Sequence, residues 1–417
     1  MAIATRSVTD ICVAAKAAAR RLAALDTASK DAALLAVADA LEARVEEIVE
    51  ANGRDMEAGR EAGLSPALLD RLMLDSARVG SIAAQVRDIA ALRDPVGEVI
   101  EGFRLPNGLD VRKERVPLGV VAVVYEARPN VTIDAAALCL KSGNAIVLRG
   151  SSSAAHSNAV LATIAAEHAP AGAIQLVEGG RDALAELARQ EGLVDLIIPR
   201  GGEGLKAALR EVATVPVIYA ASGNCHVFVD GDADLDAAEA IVLNAKTQRP
   251  GVCNAAETLL VHADAAPAFV PRVLRALRYA GVELRVDGRT RALAGELASE
   301  LVDASDEDWD EEFLALILAV RVVDSVDEAI AHVNAHGSGH SEAIVTRDAA
   351  SARAFRLGVD AACVYVNAST RFTDGGEFGM GAEIGNSTQK LHARGPIGLR
   401  ELCTFKYVVE GDGHIRG

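Results

Sequence analysis

The sequence predicts an α/β protein with two parallel-sheet domains and an added β-hairpin and tail. Short, near-continuous apolar strands alternate with helical segments over residues 117–230, and again from residue 235 to about residue 391. Hydrophobic residues make up 50% of the 417-residue chain and aromatic residues 3%. This composition is typical of α/β proteins whose helices pack tightly against their sheets. Strands covered by helices on both faces have this continuous apolar character, so both sheets are expected to be parallel.

The chain starts with helical segments. Residues 1–24 form an Ala-rich amphipathic segment that lacks the apolar core and cleavage site of a signal peptide. Residues 29–52 carry apolar side chains at three- and four-residue spacing. That spacing predicts one long helix with Ser29 as its N-cap and Asn52-Gly53 as its stop. A further helix is expected over residues 66–93.

Residues 94–113 have a different pattern. Pro106-Asn107-Gly108 separates two short runs of alternating apolar and polar residues, which is typical of a β-hairpin. A lone hairpin buries little, so it is expected to pair with another part of the chain or with a second subunit. Two short strand-like pieces between residues 394 and 409 are suited to that pairing.

The two α/β regions have a predicted element order. In the first, strands are expected at residues 119–125, 145–149, 173–177, 194–198, 217–220 and 227–230, and helices at 132–141, 154–168, 181–190 and 204–212. In the second, a helix at 235–246 precedes strands at 257–262, near 284, and at 316–323, 343–346 and 363–367. The acidic run 303–312 is interpreted as a solvated loop or helix start. Ligands of parallel sheets bind at the carboxyl ends of the strands.

Composition excludes several classes of function. The formal net charge of -17 argues against a general nucleic-acid binder. No apolar run approaches the ~20 residues of a membrane span. The six cysteines contain no Cys-x-x-Cys pair, so neither a disulfide framework nor a metal site is expected, and a reduced, cytoplasmic protein is the simplest interpretation. No Gly-x-Gly-x-x-Gly fingerprint follows a strand, and Gly201-Gly202-Glu203-Gly204 lacks its spacing.

One loop carries a candidate nucleophile. Pro250 and Gly251 break regular structure between a helical and a strand-like segment, and Cys253 follows them. A thiolate at such a turn can attack a carbonyl carbon. The alternative is a small buried apolar residue, since cysteines without a disulfide are among the most buried types. These residues alone leave both interpretations open.

Four segments together resemble the aldehyde dehydrogenase superfamily. They are residues 117–130, residues 143–151, the loop around Cys253, and Glu312-Phe313. Longer strings at 125–150, 248–262 and 371–399 resemble the branch of that superfamily that reduces L-glutamate 5-phosphate to L-glutamate 5-semialdehyde in proline biosynthesis. The resemblance covers nearly the whole chain.

That resemblance implies a domain organisation and partners. It implies a cofactor-binding domain at 1–97 and 116–230, a catalytic domain at 231–392, and an oligomerisation flap at 98–115 and 393–417. The expected partners are further copies of the chain, as a dimer or a tetramer, and the upstream glutamate kinase.

The resemblance also implies the chemistry. Cys253 would attack the acyl phosphate, expel phosphate and form a thioester, which hydride from NADPH reduces. The carboxamide of Asn130 and the Cys253 N–H would form the oxyanion hole; a turn or helix cap is the alternative role for Asn130. Ala220 falls where hydrolytic relatives carry a glutamate base, so water should attack the thioester slowly.

Binding residues follow from the same resemblance. The residues expected to bind the cofactor are Arg149, Ser151, Arg200, Gly201, Glu312 and Phe313. Arg149, with Ser152 rather than glutamate nearby, suits a 2′-phosphate and favours NADPH over NADH; the alternative is a surface arginine at a strand end. The residues expected to bind the substrate are Ser369, Thr370, Arg371 and Arg249.

Other polar residues remain open at this stage. Arg371 would face the substrate carboxylate, while Arg128, Lys141 or Arg249 would face the leaving phosphate. Each of these three is equally consistent with a surface residue or a structural ion pair. The candidates for the amino group are Glu126 and Glu377, and His226 and Cys225 are interpreted as core residues. Two rival functions are an acyl-transferring or hydrolytic aldehyde dehydrogenase and a non-catalytic scaffold.

Overall fold

The structure is a computed structural model that describes residues 6–219 and 222–416. The chain divides into two compact units. Unit 1 comprises Met1–Ala220, Gly379–Gly385 and Ile397–Gly417, and unit 2 comprises Ala221–Phe378 and Asn386–Pro396. Among the described residues, no helix is both long enough and apolar enough to cross a membrane.

Five helices begin unit 1. They are α1 (Val8–Leu22), α2 (Thr27–Ala43), α3 (Val45–Glu61), α4 (Pro66–Leu72) and α5 (Ser76–Ala91). The predicted single helix over 29–52 is therefore wrong, because the chain breaks at Arg44 and starts α3 there. The N-cap of α2 is Asp26, whose carboxylate accepts the Ser29 N–H at 2.8 Å.

The predicted stop at Asn52-Gly53 is also wrong, since both residues lie inside α3. The buried Asn52 side chain donates to Leu72 O at 2.8 Å and accepts the Leu74 N–H at 2.7 Å. Asn52 thus holds the link between α4 and α5, where Asp75 caps the second helix. The single helix predicted over 66–93 is consequently two. Hydrogen bonds to distant residues outweigh the local preference of Asn-Gly for a turn.

The first parallel sheet lies in unit 1 and has the strand order β5-β4-β3-β6. Its strands are β3 (Val120–Tyr125), β4 (Ala145–Gly150), β5 (Ile174–Leu176) and β6 (Leu196–Arg200). The helices that follow them are α6 (Asn130–Lys141), α7 (Ala155–His168), α8 (Arg181–Leu187) and α9 (Glu203–Val212). Of the segment predicted as a strand at 217–220, the described residues 217–219 make only an isolated parallel bridge, from Val217 to Ile197.

The hairpin arm is also part of unit 1. Strands β1 (Val99–Arg104) and β2 (Asp110–Pro117) are antiparallel, and β16 (Cys403–Glu410) pairs along the other edge of β2. Pairing of the predicted hairpin with the tail is confirmed. The second strand-like piece, β15 (Gly395–Pro396), instead pairs with β14 (Asn386–Ser387) in unit 2.

Unit 2 contains a seven-stranded sheet of order β10-β9-β11-β8-β7-β12-β13, whose neighbouring strands are all parallel. The strands are β7 (Cys225–Val229), β8 (Ala256–His262), β9 (Glu283–Val286), β10 (Val302–Asp303), β11 (Ile317–Val323), β12 (Ser341–Val345) and β13 (Cys363–Val366). The helices are α10 (Leu235–Thr247), α11 (Ala266–Tyr279), α12 (Gly288–Leu293), α13 (Val326–His336) and α14 (Ala349–Gly358).

One strand was predicted in the wrong sheet. The segment 227–230 was expected to finish the first sheet, but β7 pairs with β8 and β12 in the second. Burial on both faces makes the strand apolar in either sheet, so its sequence pattern does not reveal its neighbours.

Candidate active site

The half-buried thiol of Cys253 lies in the loop between α10 and β8, and the other five cysteines are buried. Gly223, which precedes β7, and Cys225, which begins it, both contact the Cys253 backbone. The Cys225 thiol donates to Cys253 O at 3.1 Å. Gly223 packs so closely that an added Cβ would lie 1.5 Å from Cys253 O. Burial raises the pKa of Cys225 well above its ordinary value, so this thiol stays a donor.

Asn254, which follows Cys253, forms hydrogen bonds with the loop that is expected to bind the substrate. Asn254 Nδ2 donates to Thr373 O at 2.9 Å and to Arg371 O at 3.3 Å. In return, Thr370 Oγ1 donates to Asn254 O at 2.7 Å. The predicted residues Ser369 and Thr370 are both buried, so their side chains build this loop. The structure thus brings the Cys253 loop and the segment 369–373 together.

Arg371 lies in a positive environment beside the sulfur. Its Nε donates to Gln248 Oε1 at 2.7 Å. Burial and the charge of Arg249 lower the pKa of Arg371, while Cys253 and Asp374 raise it. The charges of Arg249 and Cys253 therefore both act on Arg371, and neighbouring guanidinium groups of this kind attract an anion.

A buried ion pair joins the two ends of the nucleophile loop. Lys246 in the last turn of α10 and Glu257 in β8 form a salt bridge, and both side chains are 0% exposed. Burial raises the pKa of Glu257 to about 7, although Lys246 opposes that rise. Burial likewise lowers the pKa of Lys246. The sequence gives no sign of this pair, because each residue looks like an ordinary charged position on its own element.

The Glu312-Phe313 segment lies next to this loop. Glu312 Oε1 accepts the Gly223 N–H at 2.7 Å, which links the segment to the glycine packed against Cys253. The Phe313 ring faces Arg285, with 4.9 Å between ring centre and guanidinium carbon. Glu257 Oε1 accepts the Leu314 N–H at 3.4 Å. The expected contact of Glu312 and Phe313 with a nicotinamide ribose stays a prediction.

Unit 1 contains a cavity of about 1000 Å³ at the carboxyl ends of its parallel strands. The predicted residues Arg149 and Ser151 line it, together with Gly179-Gly180 and one face of α9. The Arg149 guanidinium donates to Gly180 O at 2.9 Å and to Gly179 O at 3.2 Å. Burial lowers the pKa of Arg149. Its Nε is buried and makes no hydrogen bond.

The expectation that no carboxylate lies near Arg149 is wrong. Glu126 is close enough to raise the pKa of Arg149. The carboxylate residues that line the cavity are Glu126, Glu178, Asp182 and Glu211. They come from separate elements and are brought together only by the fold.

Gly201 and Arg200 lie beside the cavity residue Glu126. Glu126 Oε2 accepts the Gly202 N–H at 3.0 Å, at the start of α9. A Cβ on Gly201 would lie 2.4 Å from that carboxylate oxygen, so a larger residue would displace the Glu126 side chain. Arg200 ends β6 and packs against Gly385, whose φ of +151 and close approach to Nη1 exclude a side chain.

Asn130 is the first residue of α6, whose N-cap is Pro129. Its Nδ2 donates to Asp134 Oδ2 at 2.9 Å. The alternative role as a helix cap is therefore wrong. Burial raises the pKa of Asp134 to about 6, while the Asn130 hydrogen bond and the Arg200 charge lower it.

The structure also shows the surroundings of other candidate residues. Lys141 is buried, forms an ion pair with Asp31 and donates to Ala90 O at 2.6 Å, so of the interpretations left open for it the structural ion pair is confirmed. His226 is buried beside Glu342, and burial lowers its pKa to about 3, which confirms it as a core residue. Ala220 lies outside the described residues. The roles of Arg128 and Glu377 stay predictions.

Within residues 6–219 and 222–416, no group of three or more His, Cys, Asp or Glu side chains is placed to hold a metal ion.

The chain has two α/β units with parallel sheets, and a half-buried cysteine lies in a loop that leads into a strand. These features are typical of the aldehyde dehydrogenase class, and the family comparison agrees. The aldehyde dehydrogenase family model matches residues 2–292 and 298–408, so the chain belongs to that family. Within it, the chain is 57% identical over 417 residues to the gamma-glutamyl phosphate reductase of Thermobifida fusca, covering 99% of each chain. It is 56% identical to the enzyme of that name from Syntrophomonas wolfei, covering 96% of each.

Solved structures show the same fold. The crystal structure of gamma-glutamyl phosphate reductase from Thermotoga maritima matches with a TM-score of 0.96 at 44% identity, over 99% of this chain and 100% of that one. An acetylating aldehyde dehydrogenase from Geobacillus thermoglucosidasius matches with a TM-score of 0.67 over 98% of this chain and 97% of that one. At 18% identity, this second match shows the fold alone.

Proposed function

We propose that this chain reduces L-glutamate 5-phosphate to L-glutamate 5-semialdehyde, with release of phosphate, through a thioester on Cys253. The observation that carries the proposal is the half-buried thiol of Cys253, which acts together with Arg249 on the charge of Arg371. An acyl phosphate that also bears a carboxylate is an anion suited to such a place. Relatives at 56–57% identity named gamma-glutamyl phosphate reductase support the choice of substrate.

The proposed steps balance in atoms and charge. The Cys253 thiolate attacks the C5 carbonyl, and the negative charge moves to the carbonyl oxygen. The Asn130 carboxamide and the Cys253 N–H stabilise that oxyanion, each donor contributing about 3 kcal/mol. Collapse breaks the C–O bond to phosphate, whose charge Arg249 balances. Arg371 binds the substrate carboxylate. When bound, a nicotinamide cofactor would supply the hydride for the thioester carbonyl carbon. The C–S bond then breaks, Cys253 leaves as the thiolate and the aldehyde departs.

The cavity of unit 1 fits a dinucleotide cofactor. Its volume of about 1000 Å³ is at the upper end of the range for ligand pockets, and the buried Arg149 Nε makes no hydrogen bond. Ser151, Arg200 and Gly201 would hold the same molecule near Glu126. We propose NADPH as the preferred cofactor, with Arg149 at the 2′-phosphate. Four carboxylate residues around the cavity oppose this preference, so it needs a direct test.

The function is tested by running the reaction in reverse. The purified protein with L-glutamate 5-semialdehyde, NADP and phosphate is expected to form NADPH, measured by absorbance. Formation should stop when phosphate is omitted and should not resume with coenzyme A. Turnover without phosphate would indicate a hydrolytic enzyme, and turnover with coenzyme A an acylating one. If no turnover occurs and Cys253 resists alkylation, the scaffold alternative stands.

Arg149→Met tests the cofactor preference. Losing a charge-assisted contact to a 2′-phosphate should raise KM for NADP about 10- to 100-fold and change KM for NAD less than about 3-fold. Arg87→Met is the control, because this arginine pairs with Asp39 and Glu42 away from the cavity residues. An equal rise for both cofactors would mean that Arg149 only supports the Gly179-Gly180 loop.

We also propose that the sheet β1-β2-β16 forms a contact between copies of this chain. It carries several exposed apolar side chains, Val99, Ile100, Phe103, Phe405, Tyr407 and Val409. Exposed apolar side chains gathered on one small sheet are often covered by another chain. A monomeric mass in solution by light scattering would contradict this proposal. Contact with the upstream glutamate kinase stays a prediction.

A further inference from the structure

We propose that Asp134 is a positioning residue that orients the Asn130 carboxamide for the oxyanion. This inference rests on the proposed function, in which Asn130 donates to that oxyanion. The two residues are one turn apart on α6, and Asn130 Nδ2 donates to Asp134 Oδ2 at 2.9 Å. Asp134 would not touch the substrate; it would act through the amide.

A carboxylate next to an amide decides which way the amide faces. An ionised carboxylate only accepts hydrogen bonds, so it selects the NH₂ group of Asn130 over the carbonyl oxygen. One N–H of that group is then used by Asp134, and the second N–H of the same nitrogen remains for a ligand oxygen. Without Asp134 the amide can turn by about 180° and present its own oxygen, which would repel an oxyanion.

Asp134 remains mainly ionised at neutral pH although its surroundings raise its pKa. Burial raises its pKa to about 6, and two groups oppose that rise: the Asn130 amide on the same helix and the Arg200 guanidinium at the end of β6. These are the polar partner and the charged group that act on Asp134 among the residues described. Asp134 is therefore mainly a carboxylate at pH 7.5, and it takes up a proton as the pH falls through about 6.

A purely structural role explains Asp134 poorly. Its second oxygen, Oδ1, is buried and has no hydrogen-bond partner, which is costly for a carboxylate. A side-chain pair one turn apart on a helix stabilises that helix by only about 0.2–0.5 kcal/mol. Asp134 also lies in the second turn of α6, where it caps none of the free N–H groups at the helix start.

The experiment is a double-mutant cycle on kcat in the phosphate-dependent reverse reaction. Asn130→Ala should lower kcat about 100- to 1000-fold, as for other oxyanion donors. Asp134→Asn is isosteric and should lower kcat about 10- to 100-fold while KM for the semialdehyde stays within about 3-fold, because only transition-state stabilisation is lost. The double variant should be no slower than Asn130→Ala alone, since Asp134 acts through the amide.

The control is Asp195→Asn. Asp195 is a half-buried carboxylate that accepts Lys16 Nζ and the Val120 N–H, each at 2.8 Å, at the amino end of β3. This variant loses a structural carboxylate of unit 1 and should lower the unfolding free energy while leaving kcat within about 3-fold. A second readout is the pH profile. The fall of kcat below about pH 6 in the wild type should be absent in Asp134→Asn.

Each outcome separates the oxyanion role of Asn130, which belongs to the proposed function, from the positioning role of Asp134. If Asn130→Ala keeps wild-type kcat, the oxyanion role in the proposed function fails. If Asn130→Ala is slow but Asp134→Asn is not, the proposed function stands and the positioning role is refuted. The same holds if the two losses multiply in the double variant, or if Asp134→Asn keeps the acid limb of the profile.

Discussion

Replacing Cys253 with alanine is expected to lower the phosphate-dependent turnover by about 10⁴-fold or more, since removal of a nucleophile leaves only binding and oxyanion stabilisation. The other five cysteines are buried, so none is placed to substitute for it. The measurement is NADPH formation from semialdehyde, NADP and phosphate. Mass spectrometry after exposure to the acyl phosphate should find the added acyl group in the peptide that contains Cys253 and in no other.

This prediction needs a fold control. Cys253 is half-buried, so its alanine variant should keep its unfolding free energy within about 0.5 kcal/mol of the wild type. Cys12→Ala is the matched variant, because Cys12 is buried in α1 and is expected to keep full turnover. Retained turnover in Cys253→Ala, or acylation of a different side chain, would refute the thioester mechanism.

Replacing Lys246 with methionine is expected to destabilise the protein by about 3–5 kcal/mol, because the Glu257 carboxylate is then buried without its partner. Both side chains are 0% exposed, so water cannot compensate. The measurement is urea unfolding followed by fluorescence. Combining Lys246→Met with Glu257→Leu should recover much of the loss, since an apolar pair replaces the uncompensated charge.

The stability of the Lys246→Met variant should depend on pH. Burial holds the folded-state pKa of Glu257 at about 7 even with Lys246 present, above the unfolded value of about 4.3. Losing Lys246 raises the folded-state pKa further, so the folded variant binds a proton that the unfolded chain releases. Its stability should therefore fall as the pH rises from 6 to 8, by at most about 1.4 kcal/mol per pH unit relative to the wild type.

An exposed ion pair is the control for that series. Arg54 and Glu50 pair on the surface of α3 with side chains 59% and 72% exposed. Arg54→Met should change the unfolding free energy by less than about 0.5 kcal/mol at every pH. A Lys246→Met variant as stable as this control would show that the pair does not hold the nucleophile loop.

Local pattern predicted most of the architecture. The strands at 119–125, 145–149 and 316–323 were recognisable because strands covered on both faces are continuously apolar. The hairpin was recognisable from Asn107-Gly108, and the nucleophile loop from the breaking residues before Cys253. Each of these signals lies within about ten residues, and the resemblance of whole strings supplied the family.

The local sequence pattern did not predict a residue's structural role where that role depends on a partner distant in the sequence. Asn52 looks like a helix stop, yet Leu72 and Leu74 hold it inside α3. Lys141 looks like a free cation, yet Asp31 neutralises it in the interior. The carboxylates near Arg149 come from four separate segments of the chain.

The sequence by itself determined the order of strands and helices, the arm, the family and the candidate nucleophile. Those features depend on side-chain periodicity, turn residues and short strings. Only the tertiary structure decided that β7 joins the second sheet, that Lys246 and Glu257 pair beneath the loop, and that Asp134 accepts from Asn130. The physical reason is that strand neighbours and the burial of a charge are properties of the folded packing, which the local sequence does not encode.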